Sequence, residues 1–342
     1  MVQMTRSCFS RWSRWPLAGA LLVGVVAAAL AAGPTAGAQQ PAAADPLPTW
    51  AFVPTPPGGV VGAHPEPPDD RARHVPGSAQ AFTLHEVGDL YAAPDWHPDR
   101  HPPLPEVVAH GRRPELFACG YCHLPNGLGR PENASIAGLS EAYIIEQFAE
   151  WKAGRRRSSN PPPNPAATMA RLAPLANEAE VRSAARYYAG LKLQPWIRVV
   201  EAGEVPKTHA SGWMMVPDGS GVEPIGARII ESAEDPGRTE LRDDASGFVA
   251  WVPPGSIARG AALAGGGVAR ASCASCHGAG LRGQADVPPL AGRSPTYLVR
   301  QLYDIRHGRR TGVAVAPMEP VVASLDLDDM IALAAYAASL PP

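Results

Sequence analysis

Cys273, Cys276 and His277 stand together in the stretch CASCHGAG, and Cys119, Cys122 and His123 repeat the spelling in CGYCHLPNG. Two thiols three positions apart face the same side of a short helical turn. That is the spacing at which both can add to the vinyl groups of one haem as thioethers. The histidine that follows is then placed to reach the iron from one face. Two other chemistries use paired cysteines: a redox or structural disulfide, and a zinc site built from all four thiols. Both leave the two histidines unexplained. Cys8 lies in the leader segment, so every cysteine beyond it belongs to one of these motifs. The expectation is therefore two covalently attached c-type haems, held by Cys119 with Cys122 and by Cys273 with Cys276, with His123 and His277 as iron ligands.

The elements that must carry these motifs form an internal repeat. At an offset of 154 residues, Ala137, Gly138, Ser140, Tyr143, Gln147, Gly154, Arg155 and Arg156 fall on identical residues of AGRSPTYLVRQLYDIRHGRR, 291–310. The first copy then carries extra residues around NPPPNP. At an offset of 149, Met169 falls on Met318, Tyr187 on Tyr336 and Leu191 on Leu340. A repeat of this length reads as a duplicated domain rather than a solenoid. EAYIIEQFAEWKAG and PTYLVRQLYDIRHG space apolar residues for one helix face and end at glycine. NEAEVRSAARYYAGL and LDLDDMIALAAYAASL open with acidic residues and run as amphipathic helices. Neither copy carries a strand signal.

The iron's second face needs a ligand or an open position for substrate. Met169 and Met318 are the methionines that correspond between copies, and Met/His ligation suits electron transfer. The bland reading of any one methionine is core filling. Met330 sits at apolar spacing and reads as core, and Met214 and Met215 have no counterpart. His307 is a rival ligand in the second copy, but its counterpart is Ala153.

Around this repeat the composition bounds the rest. The chain has 342 residues, 39 of them proline, with a formal net charge of −2, which gives no footing for nucleic-acid binding. Arg6, Arg11 and Arg14 precede the apolar run Leu17 to Ala32, and AGA, 36–38, offers small residues for cleavage. Residues 1–38 thus read as a cleaved signal peptide that exports the protein to the periplasm, leaving no stable membrane span. Residues 39–112 read as a proline-rich extended lead and a surface arm, with Trp50 and Phe52 available to dock on the folded part. In that arm His97 and His101 raise a metal site, against the more ordinary reading of solvated loop histidines. Between the copies, WIRVV, ARII and FVAWV are β-prone runs broken by Gly, Pro, Asp and Ser, so 196–256 reads as a small β-rich insert. It serves either as a docking module for a redox partner or as a spacer.

These features resemble the class I cytochrome c family in the diheme arrangement of cytochrome c4-like proteins. The resemblance rests on the two CxxCH motifs, PPLAG (288–292), YLVRQLYDIRHGRR (297–310), APM (316–318) and the final helix with Tyr336, and covers about 113–193 and 257–342. It implies a mainly α fold. Two cytochrome c-like helical domains, 113–195 and 257–342, would be joined by the insert, each with a His/Met iron at His123 and Met169 or His277 and Met318. It also implies that a proline carbonyl accepts a hydrogen bond from the iron-bound imidazole. Pro289 fits that role, and Ser135 stands in its place in the first copy. Arg155, Arg156, Arg309 and Arg310 would frame a haem edge, pair with propionates, or simply be solvated. The function implied is single-electron transfer between a redox donor and acceptor, alone or as the cytochrome subunit of a dehydrogenase, rather than catalysis. The alternative is a diheme peroxidase with one open iron, which needs a displaceable ligand and acid/base groups nearby.

Overall fold

The computed structural model describes residues 46–55, 69–266 and 272–342. The signal peptide expected over 1–38 lies outside them. Helices α1 (Leu84–Val87) and α2 (Glu106–Ala109) precede the first motif helix, α3 (Cys119–His123). Then follow α4 (Glu141–Lys152), α5 (Pro165–Leu172) and α6 (Glu178–Gly190). Strands β1 (Ile197–Glu201), β2 (Glu204–Ser211), β3 (Met214–Pro224) and β4 (Ile230–Ala233), helix α7 (Pro236–Glu240) and strand β5 (Phe248–Val252) come next. The second helical group is α8 (Ser256–Ala264), α9 (Ala274–His277), α10 (Pro295–Arg306), α11 (Glu319–Ala323) and α12 (Leu327–Ser339). The protein is thus helical with a small sheet portion.

Repeated sequence makes repeated caps. Ser140 accepts from the Tyr143 amide at the start of α4, and Ser294 accepts from the Tyr297 amide at the start of α10. Each satisfies one of the orphan amides of a helix N-terminus. Gly154 and Gly308 follow these helices at φ of +67° and +62°, backbone that glycine adopts without steric cost. Asn177 and Glu180 make a capping box on α6, and Asp326 caps α12.

The first helical group closes around Leu116, Leu139, Ile144, Leu172, Val181 and Tyr188. Val107 and Val108 of α2 belong to the same cluster, so part of the segment read as a surface arm is core. Trp96, at 0% exposure, packs with Val75 and Val87 and donates from Nε1 to Leu241 O at 2.7 Å. Proline punctuation concealed these contacts because the partners lie far away in sequence. In the second group α8 crosses α12 so closely that a Cβ on Gly260 would meet Ala332 O at 2.0 Å.

The sheet runs β1–β5–β4, with β1 parallel and β4 antiparallel to the central β5. FVAWV occupies the centre, and Phe248, Val249, Ala250 and Val252 are all buried. A second sheet is the β2–β3 hairpin, closed by Gly212 and Trp213 at positive φ, the two-residue turn that matches strand twist. Val205, Ile225, Ile229, Ile230 and Val252 share one core with Val299, Met330 and Ile331 of the second helical group. Strands β2, β4 and β5 thus pack into the core of the second helical group. Trp50 and Phe52 enter the same core, and Phe52 meets Tyr303 edge to face at 5.4 Å.

Candidate haem sites

Both motifs fold into one helical turn. Cys119 opens α3, Cys122 lies on the same face, and His123 ends it. Cys273 is the N-cap of α9, which carries Cys276 and His277. After each histidine the backbone swings to positive φ, +63° at Leu124 and +77° at Gly278. The loop then returns, with Gly129 N donating to His123 O at 2.9 Å and Gly283 N donating to His277 O at 2.7 Å. None of the four motif cysteines is in a disulfide.

The histidines are oriented alike. His123 Nδ1 donates to Ala134 O at 2.9 Å, and His277 Nδ1 donates to Pro288 O at 2.8 Å. A carbonyl only accepts, so the proton sits on Nδ1 and the Nε2 lone pair is left to bind a metal. This corrects the expected acceptor by one residue: it is Pro288, not Pro289. The first copy keeps the contact through Ala134, not Ser135, because any residue supplies a backbone carbonyl. Burial pushes both imidazoles below their ordinary pKa, which favours the neutral, ligating form. Burial also pushes the Cys119 thiol up to about 12 and raises Cys122. Two thiols outside any disulfide and one Nε2 lone pair per turn, present twice, fit a c-type haem in donor type and in spacing.

Met169 lies half-buried on α5, whose Leu172 is in the first core. Met318 ends a single 3-10 turn, Ala316–Met318, and packs on the second core, as does Cys273. Met330 is core at 0% exposure, and Met214 and Met215 lie on β3. His307 stacks on Tyr303 at 3.9 Å and uses Nδ1 on the Tyr303 carbonyl, so its own helix holds it.

Two features escaped sequence reasoning. Arg242, from the loop after α7, lies over the Tyr121 ring at 3.7 Å and donates to Tyr121 O at 2.9 Å, inside the first motif. Nothing in the insert's pattern of short strands marks it. The other is the contact between the two helical groups. Arg156 donates to Tyr297 OH at 2.8 Å and to Gln147 Oε1 at 2.8 Å. Arg310 donates to Tyr143 OH at 2.9 Å, Gln147 Oε1 at 3.1 Å and Gln301 Oε1 at 3.0 Å. These arginines are not solvated, since each reaches the other copy's tyrosine. Burial pushes the Tyr143 phenol up, but Arg310, Arg156 and Arg293 outweigh it and bring the pKa below its ordinary value. Arg155 instead pairs with Glu150 on the surface.

The solvated reading of His97 fails as well. His97 is 1% exposed, with Nε2 at 3.0 Å from Asp243 Oδ1. His101 Nε2 lies 3.0 Å from Asp95 Oδ1, and its side chain is buried too.

Comparison with known proteins follows the same lines. The family model for cytochrome c matches residues 258–341. Cytochrome c4 of Pseudomonas aeruginosa is 39% identical over 85 residues, 24% of this chain and 41% of that protein. A thiosulfate dehydrogenase electron acceptor of Stutzerimonas stutzeri is 38% identical over 236 residues, 67% of this chain and 82% of that protein. One of the same description from Thiomonas intermedia is 25% identical over 232 residues, 67% of this chain and 81% of that protein. The paired attachment turns, the free Nε2 atoms and these relatives lead to one statement: the chain belongs to the class I c-type cytochromes, in the cytochrome c4-like group.

Proposed function

We propose that this protein is an exported electron carrier with two c-type haems, one in 113–195 and one in 257–342, that takes electrons from a dehydrogenase and passes them to a second redox protein. The observation that carries the reading is the duplicated turn, in which each histidine gives its Nδ1 proton to a carbonyl and keeps Nε2 free. Haem bound there would supply an iron that changes charge by one electron. The thiols of Cys119 with Cys122, and of Cys273 with Cys276, would tether it. Ala134 O and Pro288 O fix the imidazole planes, so His123 and His277 need little rearrangement during electron transfer. Met169 and Met318 would close the opposite faces and exclude substrate. The description of two relatives as thiosulfate dehydrogenase electron acceptors makes an oxidoreductase of sulfur oxyanions the candidate donor. The 1–38 leader would deliver the protein to the periplasm. Among the described residues no helix is long and apolar enough to cross a membrane.

The test is an optical redox titration of the haem-loaded protein, with and without carbon monoxide, beside a pyridine haemochrome count. Two haems per chain and two high-potential waves that ignore carbon monoxide are expected. One haem per chain, or a wave that shifts as the gas binds, overturns the two-centre carrier. An open iron would retire Met169 first and bring the peroxidase reading forward.

A further inference from the structure

The strongest unassigned constellation lies away from both motifs. His97, Asp243 and Asp244 bring one donor atom each to within 4.8 Å of one another. His97 Nε2 is 3.0 Å from Asp243 Oδ1 and 4.0 Å from Asp244 Oδ1, and the three side chains are 1%, 0% and 3% exposed. Carboxylates this deep are rare unless paired or bound to a cation. Asp243 is accounted for: Arg238 Nε donates to its Oδ2 at 2.6 Å and the Ala245 amide donates to its Oδ1 at 3.0 Å. Asp244 is not, because its buried Oδ1 has no hydrogen-bond partner and faces His97. With a neutral imidazole, two carboxylates against one guanidinium leave a net negative charge in the interior.

The three donors are held in place independently of any ion. Trp96 Nε1 donates to Leu241 O, drawing His97 onto the loop after α7. Asn126, four residues beyond Cys122, donates to Asp244 O at 2.6 Å. The cluster thus sits where the N-terminal segment, the first attachment loop and the insert meet.

We infer that His97, Asp243 and Asp244 form a binding site for a divalent first-row transition metal ion, of which zinc is the natural probe. One imidazole nitrogen with two carboxylate oxygens is a borderline donor set, better suited to such an ion than to calcium or magnesium. Donors on a tetrahedral zinc ion stand about 3.3 Å apart, between the two separations observed, and three protein ligands leave a fourth position for water. Binding releases to solvent any proton that His97 Nε2 shares with Asp243. The ion would take up the Asp244 oxygen that nothing else satisfies and would staple three chain segments beside the first haem loop.

The full-length, haem-loaded protein, dialysed against chelator and then against buffer, is titrated with zinc chloride by calorimetry, and metal per chain is counted by mass spectrometry. One zinc per chain is expected, with at least tenfold weaker binding in His97→Asn and in Asp244→Asn. His110→Asn, on an exposed histidine, leaves the affinity unchanged. Zinc raises the thermal midpoint of the unsubstituted protein and not of Asp244→Asn, a near-isosteric change that keeps the test informative if His97→Asn misfolds. Zinc uptake by Asp244→Asn equal to that of the unsubstituted protein, or no uptake by either, overturns the inference and makes the cluster a metal-free ion pair. Neither result bears on the haem count.

Discussion

The arginine–tyrosine exchange between the two helical groups yields a quantitative prediction. Arg310→Met keeps the side chain's length but removes bonds to Tyr143 OH at 2.9 Å, Gln147 Oε1 at 3.1 Å and Gln301 Oε1 at 3.0 Å. Hydrogen bonds to charged groups contribute about 1.5–3 kcal/mol each. Three of them are not additive, because Gln147 Oε1 keeps Arg156 as a partner. The expected loss is about 3–5 kcal/mol, below the sum of three separate bonds to a charged group. Tyr143→Phe removes one of those bonds and should cost about 1–2 kcal/mol. A double-mutant cycle isolates the cross-copy term, expected at about 1.5 kcal/mol. Urea unfolding of the haem-loaded protein, followed by circular dichroism, measures all three variants. The Arg156–Tyr297 cycle should return a similar value, since that bond is the counterpart, at 2.8 Å. Additivity within about 0.5 kcal/mol in both cycles would refute the reasoning, because the arginines would then be contributing nothing specific across the contact.

Other expectations follow from single features. Replacing Cys119 with Cys122, or Cys273 with Cys276, by alanine should reduce the haem count from two to one per chain in a pyridine haemochrome assay, with the other motif still loaded. Gly260→Ala should cost about 1–3 kcal/mol in denaturant unfolding, because the new methyl meets Ala332 O at 2.0 Å and both helices must shift. Glu231 is 2% exposed, and burial raises its pKa above the ordinary 4.5 despite bonds from Thr296 and Ser294 and the field of Arg300. The fold therefore binds this proton more tightly than the unfolded chain does. That stabilisation is full below pH 4.5 and is lost as pH rises through the folded value. Thermal melts across that range should fall less steeply with pH in Glu231→Gln; equal slopes would exclude Glu231 as the cause.

What was legible in the sequence was whatever repeats locally. CxxCH places three donors within one turn, so its geometry scarcely depends on the rest of the chain. The apolar spacing of EAYIIEQFAEWKAG and PTYLVRQLYDIRHG, each closed by a glycine, announced α4 and α10, while their serine caps emerged only from the fold. FVAWV read as a strand, but its central place between β1 and β4 came from pairings across the insert. The acceptor for His277 was misplaced by one residue because the turn's path, rather than residue type, decides which carbonyl faces Nδ1. His97 is a sharper case. Its partner lies 146 residues away, and a proline-rich context ordinarily means solvent. The identities of Tyr143, Gln147 and Arg156 with Tyr297, Gln301 and Arg310 were visible, yet their purpose was not, since a repeat reveals that positions match and not that they meet.

The backbone at that contact carries a consequence of its own. Arg157 N donates to Arg309 O at 2.7 Å, and Thr311 N donates to Arg155 O at 2.9 Å, around the antiparallel bridge of Arg156 with Arg310. Each bond maps onto the other when the copies are exchanged, as do the arginine–tyrosine bonds. This is the isologous contact that two identical subunits make across a two-fold axis. The chain behaves there as a homodimer written into one polypeptide. A substitution in either copy thus disturbs half of a reciprocal pair, whereas in a true homodimer it would disturb both halves at once. The two copies can therefore differ, as they do at Arg293, whose counterpart is Leu139, without breaking the shared seam.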